Sequence, residues 1–347
     1  MTTFQSSTRN SSHPYFNTQV FEEQTKEQTL DATASLKKAT RQYALFHICF
    51  FLLACAELLA FALFFSFLTQ STILAFSLAG IFLTGFTYFV FLFYLQAKKP
   101  EQLLGVRQTF LEQCRKSLPF TSGTSEYHLA LGQALHDFFN HLHRQEYTYY
   151  FLPSIFKTLS PLIQKFSVWC HWKDLHQMQE MILLMMIKEH IELIKIAPTD
   201  LETHARLAHS YRILAKHYQD PRIAHPDIDH IWVSPEYQSV DMINKFEKAS
   251  WRAVEEFKIM DDYAPNDPWV HAQLAEIFHD LHMAAEEIQE YEIILKSAPE
   301  DTDVLLRLGI LYFKQGRNAQ ALSLYEQLKN TNDPKAKELL SYYDTPI

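Results

Sequence analysis

LGILYFKQGRNAQALSLYEQL, running from Leu308 to Leu328, sets Gly309 beside Leu308, follows with Tyr312 and Gly316, and then places Ala321 and Tyr325. Working backward from it, the same pattern recurs. AQLAEIF (Ala272–Phe278) precedes LRLGILY (Leu306–Tyr312) by 34 residues, and Tyr291 precedes Tyr325 by 34. Pro265 and Pro299 are also 34 apart, Pro334 follows 35 later, and Pro198 lies 67 before Pro265. Each unit reads as helix, turn, helix. Gly309 and Ala275 are small, so the second helix of the same unit is expected to cross close to them. Leu308 and Tyr312 fill the space beneath. Gly316 suits the positive φ at which a helix ends. Ala321 and Tyr325 belong on the inner face of the second helix, and each proline stands where that helix cannot continue. Thr199 with Glu202 forms a capping-box pattern, and Asp267 with Pro268 reads as N-cap and first helical residue.

The rest of the composition agrees. The chain has 347 residues and only 7 glycines. Few glycines with abundant Leu, Ala, Glu, Gln and Lys favour helix, so the fold class expected is all-α. The formal net charge is -9, and residues 96–347 carry 26 Lys and Arg against 35 Asp and Glu. No basic face of domain size is expected, which argues against nucleic acid as a partner. The 4 cysteines, Cys49, Cys55, Cys114 and Cys170, form no CxxC and no spaced framework. They read as ordinary thiols in a reducing compartment.

Residues 43–97 are different. YALFHICFFLLACAELLAFALFFSFL and ILAFSLAGIFLTGFTYFVFLFYL are two apolar runs separated by TQST, Thr69–Thr72. Each exceeds the roughly 20 apolar residues that cross a hydrocarbon core of about 30 Å. The expectation is a transmembrane hairpin. Lys37, Lys38 and Arg41 precede it, Lys98 and Lys99 follow it, and the turn carries no charge. Both ends are therefore expected on the cytoplasmic side. Glu57 falls near the middle of the first run. A carboxylate there costs on the order of 3 kcal/mol, so it should be protonated or paired. Equal depth on the second run places Thr84 opposite it. A Glu57–Thr84 bond that joins the two helices is favoured over an ion path, because two helices cannot enclose a pore. A homo-oligomer formed through the hairpin is a further expectation.

Over residues 125–335 the chain resembles the tetratricopeptide repeat family. The match is regular in two repeats, about 268–301 and 302–335, although Glu287 stands where the family prefers Ala. Two earlier repeats are split by insertions. One takes LALGQAL (Leu129–Leu135) with about Leu175–Ile196, and the other takes ARLAHSYRI (Ala205–Ile213) with SWRAVEEFKIM (Ser250–Met260). The resemblance implies a helical solenoid whose concave face binds an extended peptide or a partner helix. The groove positions it implies are Gln133, His136, His209, Arg212, Glu276, His279, Asp280, Ile310, Phe313 and Lys314. The clamp with which chaperone-binding members hold a terminal carboxylate is absent: Leu129, Gln133, Ala205, Arg206 and His209 stand at the matching positions.

The remaining segments complete the expected organisation. Residues 1–42 read as a polar, disordered tail, with 12 Ser and Thr among the first 35 residues. Residues 98–124 read as a helix near the membrane surface and a linker, with Leu103, Val106, Phe110, Cys114 and Leu118 at helical spacing. Residues 336–347 read as a C-terminal tail. The first insertion, Tyr147–Trp172, holds eight aromatic residues and no acid. Packing against the solenoid is preferred for it over a membrane or partner surface. The second, His217–Asp241, contains His225, Asp227, Asp229 and His230, but no HExxH or Cys partner supports a metal there. No nucleotide, hydrolase or redox motif is present, so neither an enzyme nor a cofactor is expected.

The expected function is a membrane-anchored scaffold that docks a protein or peptide on the cytoplasm-like side. The polar tail, paired apolar helices and short turn over residues 1–98 also resemble the inclusion-membrane proteins that intracellular bacteria secrete into a host vacuole membrane. That resemblance implies a protein that recruits host factors, in place of a bacterial inner-membrane scaffold. A metal-dependent enzyme using the 217–241 loop is the third reading.

Overall fold

The computed structural model describes residues 18–65, 73–150, 160–224, 233–331 and 333–343. Among them the fold is all-helical, with no strand. The chain divides into two compact units, up to Ile182 and from Leu183.

In the first unit, helix α1 (Thr18–Leu63) packs along α2 (Ile73–Ser117). At 1.5 Å per residue each is roughly 70 Å long, about twice what a bilayer core requires. The extra length comes from sequence expected to be tail and linker. From Thr18 onward the polar stretch is helical, which corrects the expected disorder over that part. Its buried side chains are Phe21, Thr25, Thr29, Ala32, Thr33, Leu36, Thr40, Tyr43 and Ala44. These recur every three or four residues, so the helix has an inner face, built largely from threonine. Thr33 and Thr40 donate their hydroxyls to the Thr29 and Leu36 carbonyls at 2.8 and 3.0 Å, which lets a polar side chain face inward.

The 98–117 stretch is likewise no separate surface helix. It continues the second apolar run without a break through Pro100, and Leu103, Phe110 and Cys114 are buried in protein. Gln28 donates to the Ser117 hydroxyl at 2.8 Å and accepts from Cys114 Sγ at 3.2 Å, fixing α1 against α2. Burial pushes the Cys114 thiol up to about 12. Helix α3 (Ser125–Leu142) packs on both, with Phe110 and Phe138 ring centroids 4.4 Å apart. The LALGQAL segment thus belongs to the first unit. Helix α4 (Ser160–Ile196) takes in the end of the first insertion and the helix expected after it as one element, and the division between units falls inside it.

The second unit is built from paired helices. Helix α5 is Leu201–Tyr218, followed by the single turn α6 (Pro221–Ala224). Then come α7 (Val240–Tyr263), α8 (Pro268–Asp280), α9 (Ala284–Ser297), α10 (Thr302–Lys314), α11 (Asn318–Thr331) and α12 (Asp333–Leu340). Helix α5 packs along α7, α8 along α9, and α10 along α11, while α7 meets α8 and α9 meets α10. The helix starts repeat chemically. Asp200, Asp267 and Asp301 are the N-caps of α5, α8 and α10, each accepting a backbone N–H two residues on. Asp200, rather than the expected Thr199, is the first of them. Gly316 ends α10 at φ +71°, as its position required.

Two expectations about close packing change. A methyl on Gly309 would lie 2.7 Å from a Leu339 methyl, so the nearest neighbour at this glycine is α12. Residues 336–340 are accordingly no tail: Ala336 and Leu339 are fully buried among Leu308, Leu311, Phe313 and Leu328.

Candidate functional site

The groove positions named by the sequence fall on α3, α5, α8 and α10. Gln133 and His136 sit on α3 in the first unit, where Gln133 donates to Asp137 one turn on at 2.9 Å. The other eight lie in the second unit. There the structure brings three of them into one ladder. Arg212 of α5 is paired with Glu276 of α8 and also donates to Gln273. Lys216, one turn further, stands 3.8 Å from Asp280. The charges of α5 and α8 therefore largely answer one another across the helices. Burial lowers the Arg212 pKa, and the Asp280 charge opposes that.

The next step of the face has a different composition. His279 of α8 bonds Glu287 of α9, its Nδ1 lying 3.1 and 3.2 Å from the two carboxylate oxygens. Glu287 is buried. That burial raises its pKa, and the charges of His279, Arg307 and Lys314 pull the other way. His279 thus bonds one buried carboxylate whose charge Arg307 and Lys314 also favour, while His279, Arg307 and Lys314 themselves reach solvent. Ile310 lies between them, half-buried. Phe313 is a correction. It is buried in the last core with its ring 5.6 Å from that of Tyr343, so it holds the helix in place and is not open to a ligand. His209 is exposed on α5.

Beneath this face the repeat carries a second, unforeseen pair. His204 of α5 bonds Glu256 of α7 at 2.7 Å, and His271 of α8 bonds Glu290 of α9 at 2.6 Å. The histidines are 67 residues apart and the glutamates 34, the offsets already seen for the prolines. One repeat later the corresponding residues are Leu305 and Leu324, both buried. The signal for these pairs in the sequence is the recurrence of His at 67 residues and of Glu at 34.

In the first unit, Thr84 donates to Glu57 Oε1 at 2.7 Å, joining the residues expected at equal depth. His47 and Tyr88 add a 3.2 Å contact between the same two helices, nearer the ends of the apolar runs. Below the hairpin, residues from four segments converge. Arg41 donates to the Tyr149 carbonyl, and Lys99 forms an ion pair with the buried Asp174, both at 2.5 Å. His171 stacks on Tyr149 with centroids 4.1 Å apart and bonds the Tyr150 hydroxyl at 2.8 Å. Burial, with Lys99 and Arg41 nearby, pushes the His171 pKa down to about 4, so the ring is neutral. Burial raises the Asp174 pKa and Lys99 draws it back. The sequence named Arg41 and Lys99 only as charges flanking the hairpin, and Tyr149, Tyr150, His171 and Asp174 carry no local pattern that would have pointed to them.

Among the described residues no group of three or more His, Cys, Asp or Glu side chains is placed to hold a metal ion. His225, Asp227, Asp229 and His230 lie outside the described residues. Set against known proteins, the chain matches no family model and no curated protein.

Proposed function

We propose that this chain is a membrane-anchored docking protein. Residues 43–97 cross a bilayer as a hairpin with both ends on the cytoplasmic side, and the paired helices of the second unit form a tetratricopeptide-like solenoid. Its face across α5, α8 and α10 receives a protein or peptide. One observation carries the anchoring. The apolar windows of α1 and α2 are only 6% and 0% buried inside the protein, so the chain itself does not cover them. A core helix of a soluble domain would be wrapped, and an apolar surface of this extent is stable only against lipid or protein.

The docking part is supported by the recurrence, at 34 residues or about twice that, of caps, prolines and His–Glu pairs with buried histidines, a pattern that suits a stack of similar helix pairs. Anchoring would confine that face to the membrane surface and raise its effective concentration toward partners held on the same membrane. A photo-crosslinking side chain placed at His209 or Lys314 should give one discrete adduct on native membranes, while the same group at Leu322, on the exposed side of α11, should give none. Equal labelling at all three positions, or none at His209 and Lys314, would remove the groove from the account.

A further inference from the structure

Helix α4 begins with an apolar stripe that the described residues of its unit leave largely exposed, Phe166 alone meeting the Tyr150 ring at 5.8 Å. Ser167, Val168, His171, Trp172, Asp174 and Leu175 are buried on one side. On another, Leu162, Phe166, Trp169 and Lys173 recur at intervals of three and four, the spacing of a helical stripe. Leu162 is 66% exposed and Trp169 71%, and the Phe166 and Trp169 rings lie 6.3 Å apart. An exposed tryptophan beside an exposed leucine and a half-buried phenylalanine is a poor surface for water.

The location of the stripe identifies its occupant. Asp174 is bound to Lys99, two residues past the end of the apolar hairpin, and His171 to Tyr150, whose neighbour Tyr149 is bound to Arg41 just before it. The buried face of α4 is therefore fastened to both polar ends of the hairpin. Trp169 lies five residues before Asp174, about 7–8 Å along the helix, a distance comparable to the thickness of the polar interfacial layer on one side of a bilayer. The charge agrees. The protein carries -9 overall, yet from Tyr147 through Lys173 there are three lysines and no acidic residue.

We propose that the first turns of α4 lie in the membrane interface, with Leu162, Phe166 and Trp169 among the headgroups and upper acyl chains and Lys165 and Lys173 beside lipid phosphates. This rests on the membrane hairpin of the proposed function. It turns a two-helix anchor into a three-point one, and it fixes the soluble base at the bilayer surface.

The chain supplies its own probe, since none of its 5 tryptophans falls within residues 43–97. The full-length protein is reconstituted in vesicles whose lipid acyl chains are brominated, a quencher that acts only on tryptophan in contact with lipid. Native emission should fall by about one fifth, the share of a single interfacial tryptophan, and Trp169→Phe should abolish that loss. Phe82→Trp, at an exposed position within the second apolar run, serves as the anchor control. If Phe82→Trp is quenched while the native and Trp169→Phe proteins respond alike, α4 is not at the interface and the hairpin stands. If Phe82→Trp is not quenched either, the hairpin reading falls and this proposal falls with it.

Discussion

His204 shows how one side chain links the fold to pH. Burial alone would lower its pKa. Hydrogen bonds to Glu256 and to the Pro198 carbonyl, with the Glu256 and Asp200 charges, more than reverse this, and the result is a raised value. The folded protein then holds the proton more tightly than the unfolded chain. Its contribution is complete below the unfolded value of about 6.5 and is lost as pH rises through the folded one. Glu287, raised chiefly by its burial, acts in the same direction from the carboxylate range upward. Denaturant unfolding of the second unit, followed in the detergent-solubilised chain, should therefore show stability falling as pH rises from 6 to 8. His204→Gln should flatten that part of the profile. An unchanged slope would mean that the pair contributes no linkage.

Gly309 is the second residue with a sharp consequence. Alanine would gain about 1 kcal/mol in helix propensity, but its methyl would press on Leu339, which is fully buried and has little room to yield. Overpacking of that kind costs about 1–3 kcal/mol, so Gly309→Ala should destabilise the end of the chain by up to about 2 kcal/mol. Leu339→Ala leaves a cavity on its own. Combined, the two changes should cost less than their sum, and strict additivity in denaturant midpoints would show that the two residues do not touch.

Among elements, the helices legible in the sequence were those whose inner face is made of Leu, Ala, Ile and Phe. α8, α10 and α11 stand where the 34-residue spacing put them, because each period ends in a residue that stops a helix. The inner face of α1 was not legible. Thr25, Thr29, Thr33 and Thr40 count as polar, yet Thr33 and Thr40 return their hydroxyls to the preceding turn, while the buried Thr25 and Thr29 hydroxyls find no such partner. α12 was missed for another reason. Ala336 and Leu339 are too few to make a periodic signal, and only the exposed core of α10 and α11 calls for them. Removal of residues 333–347 should uncover Gly309, Leu311 and Phe313 and cost on the order of 3–5 kcal/mol, comparable to truncating one or two large core side chains. A truncated chain with an unchanged unfolding midpoint would show that α12 caps nothing.

For the molecule as a whole, the sequence reached the all-helical fold and the two helices long and apolar enough to cross a membrane, since both follow from composition and run length. It reached the Glu57–Thr84 contact as well, because depth along two paired spans is simple arithmetic. The proposed docking face was legible only in part. Arg212, Glu276 and Asp280 were named one by one as groove residues, and nothing in their separate positions revealed that ion pairs would tie α5 to α8. The buried Glu287 read as a departure from a repeat pattern, and in the structure it is bonded by His279.

Sidedness tests the proposed anchor most directly. A reporter active only in the cytoplasm is fused to the N-terminus, to Ile347, and within the TQST segment between Gln70 and Ser71, alongside a reporter active only on the far side. The expected result is cytoplasmic activity at both ends, far-side activity at the TQST segment, and retention of the chain in membranes after alkaline extraction. Ends on opposite sides, or a chain released by alkali, would contradict the hairpin and with it the membrane-anchored reading.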